Sequence, residues 1–362
     1  MADVIELNDP SRLAEVRMAW NALLPQTLGA SFFGSIDWLE TYWRSFGAGR
    51  RLRVLVVRAL GRPIGIVPLC VESRGGRLRR TRVLTYPSDG DGARLGPIGQ
   101  NQTAALLLAV RHIEQTEQDW DVFEPAGVAE DTTDRGRTRR AMRLAGMAPT
   151  RRPHQTRSSV DLTPFSGWGE YLASRPSEQR DRLSRQPARL AEWGRVELVR
   201  HRPGPANEGD GDPRWDLYDE TTAIDAAGER GASRDRARSD YHAALHGAAA
   251  RLGMLDLVVL RIDGRPAGYL YNVRYDGRVE GVRWGLAAGL GGANTAEALT
   301  AVALRDSLRR GDQRFGLAPD DAMGARSFAT HHETTYRLRY DKRGAWLGLG
   351  GRYGQQGCRL LS

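Results

Sequence analysis

The chain has two cysteines, one lysine and no long apolar run, and each shortage narrows what it can be. Cys70 and Cys358 stand at opposite ends, with neither a CxxC spacing nor a ladder of pairs. That pattern points to a reducing compartment and away from a zinc knuckle or a disulfide scaffold. No stretch approaches the roughly 18 apolar residues a membrane helix needs. The opening residues MADVIELNDP carry two Asp and a Glu and no apolar core, so they do not read as a secretory signal. A soluble, cytoplasmic protein is the expectation. Lys342 is the single lysine, so 52 of the 53 basic residues are arginine; with 42 glycines this skew reads as a GC-rich genome more than a selected surface. The net charge of +9 still admits an anionic partner. RNP-like aromatics, zinc-finger spacing and a persuasive helix-turn-helix are missing, so nucleic acid is not the expected partner. A phosphorylated small molecule fits the charge as well.

What is present is ordinary for a globular protein: 40% hydrophobic and 27% charged residues over 362 positions, a length that suits two domains. The strongest structural signal is internal. Residues 52–69 read LRVLVVRALGRPIGIVPL and residues 255–272 read LDLVVLRIDGRPAGYLYN. Without a gap, Leu52, Val56, Arg58, Gly61, Arg62, Pro63 and Gly65 match Leu255, Val259, Arg261, Gly264, Arg265, Pro266 and Gly268. Each copy is a β-branched run, a glycine-centred turn and a second run. Asp263-Gly264 is a strong hairpin signal, because a type I′ turn needs positive φ at both central residues. Pro63 and Pro266 lack an N–H and belong where their strand is unpaired on that side.

The parallel continues. Arg82 to Tyr86 reads as a strand that leads through SDGDGARLGPIG into an Ala/Leu helix from about Gln102. Val279 to Leu286 leads through AAGLGGAN into a second such helix from about Thr295, and Gly99-x-Asn101 and Gly292-x-Asn294 fall at similar points. Duplication is the better reading. Further helices are expected over 10–24, 35–46, 135–146, 167–193 with breaks at Pro176 and Pro187, 214–224 and 236–252. Strands are expected at Trp120 to Glu124, Ser158 to Leu162 and Val196 to Arg200. Hairpins mixed with helices in both halves predict α+β layers more than a doubly wound parallel sheet.

The loop from Trp284 to Asn294, WGLAAGLGGAN, is the strongest site candidate. It follows a strand and opens a helix, where glycines permit close approach and the helix N–H groups favour an anion. It is neither GxGxxG nor a Walker loop. Asn294 with Glu297 also resembles a capping box, so a plain capped helix stands beside anion binding. His331-His332-Glu333 reads as a polar surface patch and the His242/His246 pair as solvent-facing, so no metal ligand set is expected. No serine sits in a GxSxG elbow and no cysteine has a histidine close by. Arg175, Arg182, Arg185 and Arg189 recur at near-helical intervals; a solvated arginine face and an anion-binding face both fit.

Four stretches then carry a family resemblance: SFFGSIDWLETYWRSF at 31–46, LRVLVVRALGRPIGIVPL, WGEYLASRPSEQRDRLSRQPARLAEWGRVEL at 168–198, and the 255–311 unit of hairpin, strand, loop and helix. Their order resembles the CelD/BioF2-like acetyltransferases, a GNAT branch related to FemAB-type transferases. The resemblance implies tandem GNAT-like domains at 1–165 and 166–345, followed by a tail at 346–362. It implies acyl transfer from acetyl-CoA or another acyl-CoA to a small-molecule or cell-envelope amine, by direct attack. The cofactor cradle it implies is Gly289, Gly291, Gly292, Asn294 and Thr295, with thioester-polarising donors from Val282, Arg283, Trp284 and Gly285. Tyr336 is then the acid for the departing thiolate and Asp320 or Asp321 the base. Aminoacyl-tRNA-dependent transfer of the FemAB kind is the alternative. A degenerate GNAT pair acting as a binding module is the third reading, since Gly-Leu-Gly-Gly-Ala-Asn stands where such proteins often have Ser-Pro-Gly.

Overall fold

The computed structural model describes residues 2–75, 80–88, 96–116, 118–228, 236–289, 293–318 and 325–342. The first half runs β1 (Ala2–Leu7), α1 (Leu13–Leu23), α2 (Ile36–Phe46), β2 (Arg51–Ala59), β3 (Arg62–Arg74), β4 (Thr81–Thr85), α3 (Gln102–Gln115), β5 (Val122–Phe123), α4 (Arg137–Leu144) and β6 (Thr150–Asp161). The second runs α5 (Trp168–Ala173), α6 (Ser177–Ala191), β7 (Val196–His201), α7 (Trp215–Ala227), α8 (Arg236–Arg251), β8 (Leu255–Ile262), β9 (Arg265–Tyr275), β10 (Arg278–Leu286), α9 (Ala293–Arg309), β11 (Arg314–Gly316) and β12 (His331–Asp341). The architecture is mixed α+β, as the sequence predicts.

The duplicated hairpins, β2–β3 and β8–β9, form as expected. Asp263 and Gly264 have φ of 50° and 76°, and Leu60 and Gly61 have 51° and 78°, so both turns use the left-handed pair a type I′ connection requires. The match extends to a defect. Register slips between Val57 and Arg58 in one hairpin and between Leu260 and Arg261 in the other, just beside Pro63 and Pro266. A bulge at that point accommodates the missing proline N–H. The paired glycines also have one job. A Cβ on Gly65 would lie 2.6 Å from Cβ of Ala105 on α3; one on Gly268 would lie 2.7 Å from Cδ2 of Leu286 and 3.6 Å from Cδ2 of Leu299 on α9.

The strands form one sheet in the order β1-β2-β3-β4-β5-β12-β6-β11-β10-β9-β8-β7. Two pairs are parallel, β4–β5 and β10–β11, each joined through a helix, α3 or α9. The halves interleave at the centre. β6, from before residue 165, pairs with β11 and β12, while β12 reaches back to β5. Neither β12 nor β1 is foreseen from the sequence, and β6 starts at Thr150, not Ser158. TRRPHQTRSSVD is largely polar and exposed, and the residues HHETTYRLRYD buries are mostly polar, Glu333 and Thr335 beside Leu338, so no apolar alternation marks either strand in advance.

Burial explains the helices. One core spans both halves, from Trp20, Trp38 and Tyr42 to Tyr241, Leu245 and Tyr269. In it the Trp38 indole donates to the Tyr241 hydroxyl at 3.0 Å, tying α2 to α8. A second core lies on the other sheet face under α6 and α9. β8 serves both: Leu255, Leu257 and Val259 face the first, Val258, Leu260 and Ile262 the second. A strand covered on both faces reads as a continuous apolar run. The break at Pro176 occurs, but α6 continues through Pro187. An interior proline costs about 3 kcal/mol, and burying Leu183 and Leu190 at roughly 1.5–3 kcal/mol each offsets it.

Candidate active site

β10 is paired on one side along its length, with β9 from Arg278 to Leu286. On its other side it pairs with β11 only over Arg278–Glu280. Beyond Gly281 the two parallel strands part, and among the described residues the outer edge of β10 has no strand partner. Gly281 sits at the fork. A Cβ there would lie 2.7 Å from the Ala318 nitrogen and 3.0 Å from the Gly316 oxygen, so the close crossing requires glycine. The free edge then runs through Val282, Arg283, Trp284 and Gly285. Strand-edge N–H groups beside a cleft can polarise a carbonyl oxygen.

On the α7 side of β10 the Arg283 guanidinium is enclosed by three phenol rings, with centroid distances of 5.5 Å to Tyr218, 5.4 Å to Tyr269 and 5.1 Å to Tyr271. It donates to Asp225 Oδ2 at 3.1 Å and to Thr221 Oγ1 at 3.0 Å. Tyr269 donates its hydroxyl to Asp225 Oδ1 at 2.7 Å. Gly285 makes room for this arrangement, since a Cβ would meet Tyr269 Cε1 at 2.6 Å and Asp225 Oδ1 at 2.8 Å. Burial works against the Arg283 charge, and the three tyrosines with Asp225 more than offset it, so its pKa is raised. Burial also pushes the Tyr269 and Tyr271 phenols up, and both are protonated at neutral pH.

Behind the rings, His246 lies 3.1 Å from the Tyr271 hydroxyl through Nδ1 and 2.6 Å from the Pro213 carbonyl through Nε2. A carbonyl only accepts, so Nε2 carries the proton and Nδ1 accepts from Tyr271. Burial lowers the imidazole pKa to about 4. His246 is therefore a neutral core residue. The solvent-facing reading of it is overturned, while His242 is half-buried.

On the opposite face, Trp284 and Leu286 pack on the second core. The strand ends in a loop where Gly289 has φ of 82°, and α9 begins at Ala293. α6 lies along α9. The buried Glu297 accepts from Arg182 Nε at 2.9 Å. One member of the arginine series thus neutralises the carboxylate that would otherwise repel an anion at this helix start.

A family model described as an acetyltransferase (GNAT) domain matches residues 177–328. That stretch is less than half of the chain; it resembles a GNAT acetyltransferase domain and supports an acyltransferase. No curated protein matches it in sequence. The solved structure of FemX superposes with a TM-score of 0.62 at 10% identity, over 96% of this chain and 99% of that one. The C-terminal domain of a putative lysylphosphatidylglycerol synthetase from Agrobacterium fabrum gives 0.53 at 13% identity over 95% and 96%. L-PGS from Bacillus licheniformis gives 0.51 at 12% identity over 94% of each chain. At these identities the likeness is one of fold, and it spans both halves.

Within the matched stretch, the fold brings Val282, Arg283, Trp284 and Gly285 together on the strand beside the cleft. Thr295 is buried in the first turn of α9, where Asn294 also lies. Gly291, Gly292, Asp320 and Asp321 lie outside the described residues. Tyr336 stands apart. It is on β12 opposite Pro153, six residues along β6 from the Ser159 that meets β11, or about 20 Å at strand spacing. Its hydroxyl donates to Asp131 at 2.8 Å, and the Arg151 guanidinium lies 3.5 Å over its ring. The bond to Asp131 raises its pKa, which does not favour an acid. His331 and His332 are exposed as expected, but Glu333 is buried and accepts from the Thr132 hydroxyl. Asp225, Tyr269 and Tyr271 were not foreseen. Tyr218, Thr221 and Asp225 at i, i+3 and i+7, with Tyr269-x-Tyr271 on one strand face, were the available signal.

Among the described residues no helix is long and apolar enough to cross a membrane.

Proposed function

We propose that this protein transfers an acyl group, acetyl in the simplest case, from acyl-CoA to an amine nitrogen by direct attack. The observation that carries the reading is the free edge of β10 beyond Gly281, followed at once by a glycine-bearing loop and the start of α9. In this reading the amine forms a C–N bond, the thioester C–S bond breaks, the amine loses a proton and the departing thiolate gains one. The β10 edge at Val282 to Gly285 supplies N–H donors to the carbonyl oxygen. Gly289, Gly291, Gly292, Asn294 and Thr295 cradle phosphate at the helix start, and Arg182 holds Glu297 back from it. On the α7 side, Asp225 orients the acceptor amine and receives its proton, positioned by Arg283 and Tyr269. Tyr336 has no part in this arrangement.

Calorimetric titration with acetyl-CoA tests the donor: saturable binding is expected, and its absence sinks the assignment. Asp225→Asn should then lower kcat about 100-fold while leaving acetyl-CoA affinity unchanged. Turnover with any member of an amine panel also removes the reading as a mere binding module.

A second reading, aminoacyl-tRNA-dependent transfer, has one feature in its favour: α6 carries Arg180, Arg182 and Arg185 along α9 beside the same cleft. Salt-sensitive tRNA binding without acetyl-CoA binding would select it. The acceptor in either case is an amine of a small molecule or of the cell envelope.

A further inference from the structure

The first half has its own fork. β4 and β5 pair only at Val83–Val122 and Leu84–Phe123, then separate. A cavity of about 70 Å³ opens there, bordered by Tyr86, by Pro97 and Ile98 before α3, and by Val128 and Ala129 on the continuation of β5. It is the duplicated counterpart of the β10–β11 cleft, with a different lining.

Three polar groups decide what the cavity suits. Ser31 is only 4% exposed and borders the cavity, and its Oγ has no hydrogen-bond partner. A buried hydroxyl left this way costs about 1–3 kcal/mol unless a ligand or water satisfies it. Asp134 also borders the cavity. Its carboxylate accepts only from Thr138, through the backbone N–H at 3.2 Å to each oxygen and the hydroxyl at 2.6 Å to Oδ1. Among the described residues no cation pairs with it. Arg137 also lines the cavity, but its Nε donates to the Asp134 carbonyl and another of its nitrogens to the Thr133 carbonyl. Burial, the dominant influence, raises the Asp134 pKa despite Thr138 and Arg137, as expected for a charge short of a counter-ion. The remaining wall mixes apolar Leu24, Leu28, Ala30 and Ile98 with the polar Thr27, Gln102 and Thr133.

We propose that this cavity binds a primary ammonium group on a short apolar arm, with the Asp134 carboxylate as counter-charge and Ser31 Oγ as a further acceptor. An anion is disfavoured by Asp134. The volume is about half the roughly 150 Å³ that holds a benzene ring, so the buried part is two or three carbons and the nitrogen. The site is separate from the acyl cleft.

The test is an NMR-detected titration of the full chain with propylammonium, propanol and propionate, without acyl-CoA. Saturable propylammonium binding in about the millimolar range is expected, stronger than propanol by about tenfold and with no propionate binding. Asp134→Asn keeps an acceptor for the Thr138 bonds and should erase the preference of the ammonium over propanol. Ser31→Ala should weaken propylammonium about two- to fivefold. Equal affinity for propylammonium and propanol in the wild type, or a preference surviving Asp134→Asn, overturns the proposal, as does absence of binding. Where Asp134→Asn fails to fold, the wild-type preference and Ser31→Ala decide. No readout involves acyl transfer, so this proposal and the acyltransferase reading fail independently.

Discussion

The two halves hold their outer strands with buried ion networks of opposite polarity. In the first, Arg53 on β2 is 2% exposed and lies between Glu6 of β1, at 2.6 Å, and Asp119, at 3.1 Å. In the second, Asp256 of β8 occupies the matching hairpin position, fully buried between Arg200 and Arg202 of β7 and its continuation, at 2.7 and 3.1 Å. Asp306 and Asp312 complete the second set. The fold needs a filled, neutralised polar site here and is indifferent to its sign. Duplicated copies can therefore exchange charge if the partners change together. The same freedom shows at the forks: one keeps a glycine-bearing loop and an open strand edge, the other a small cavity lined by Ser31 and Asp134.

The sharpest way to break this symmetry is to remove the central charge. Asp256→Ala should cost about 2–4 kcal/mol in urea unfolding, because it leaves two guanidinium groups that are each only 5% exposed with one carboxylate apiece, Asp306 for Arg200 and Asp312 for Arg202. Arg53→Ala should cost less, since Glu6 keeps His112 at 2.9 Å and Asp119 keeps Arg51 at 3.0 Å. Equal losses would contradict the difference.

The next effect is specific to the second half. His246 is neutral when folded, with a pKa lowered by burial to about 4, and titrates near 6.5 when unfolded. Between those values the unfolded chain binds more protons, so stability is full above about pH 6.5 and falls as pH drops towards 4, by about 3 kcal/mol. In His246→Phe this contribution to the pH slope should vanish, measured as unfolding free energy against pH.

Gly285→Ala should cost about 1–3 kcal/mol by forcing Tyr269 and Asp225 aside, and should lower acyl-transfer kcat more than it changes acetyl-CoA affinity. Tyr336→Phe should be the mildest change, within about 0.5 kcal/mol in thermal unfolding and without effect on turnover. A large loss of turnover there would return Tyr336 to the mechanism.

Much of the plan was readable in advance for a physical reason. Hairpin turns, glycine contacts and amphipathic helices are encoded within a few residues, so Asp263-Gly264, Gly65 and Gly268 announce their own geometry. The repeat then placed β4–α3 and β10–α9 at equivalent points. The candidate site was half legible. Arg283 and Gly285 were named as part of a strand edge, but nothing near them in sequence announced Asp225 or Tyr269, which sit 58 and 14 residues from Arg283. His246 was misread because its polarity suggested solvent, whereas Tyr271 and Pro213 satisfy both its nitrogens.

The sequence by itself determined the duplication and the order of strand, loop and helix in each half, because these rest on local backbone preference and short-period burial, while the class of chemistry came from the resemblance its motifs carry. Only the tertiary structure decided that β6 and β12 interleave the halves, that Tyr336 lies about 20 Å along the sheet from the β10 fork, and that one fork is an open edge and the other a polar-lined cavity. Those outcomes depend on which polar strands find partners and which charges are buried together, and such long-range pairings leave no periodic trace in the chain.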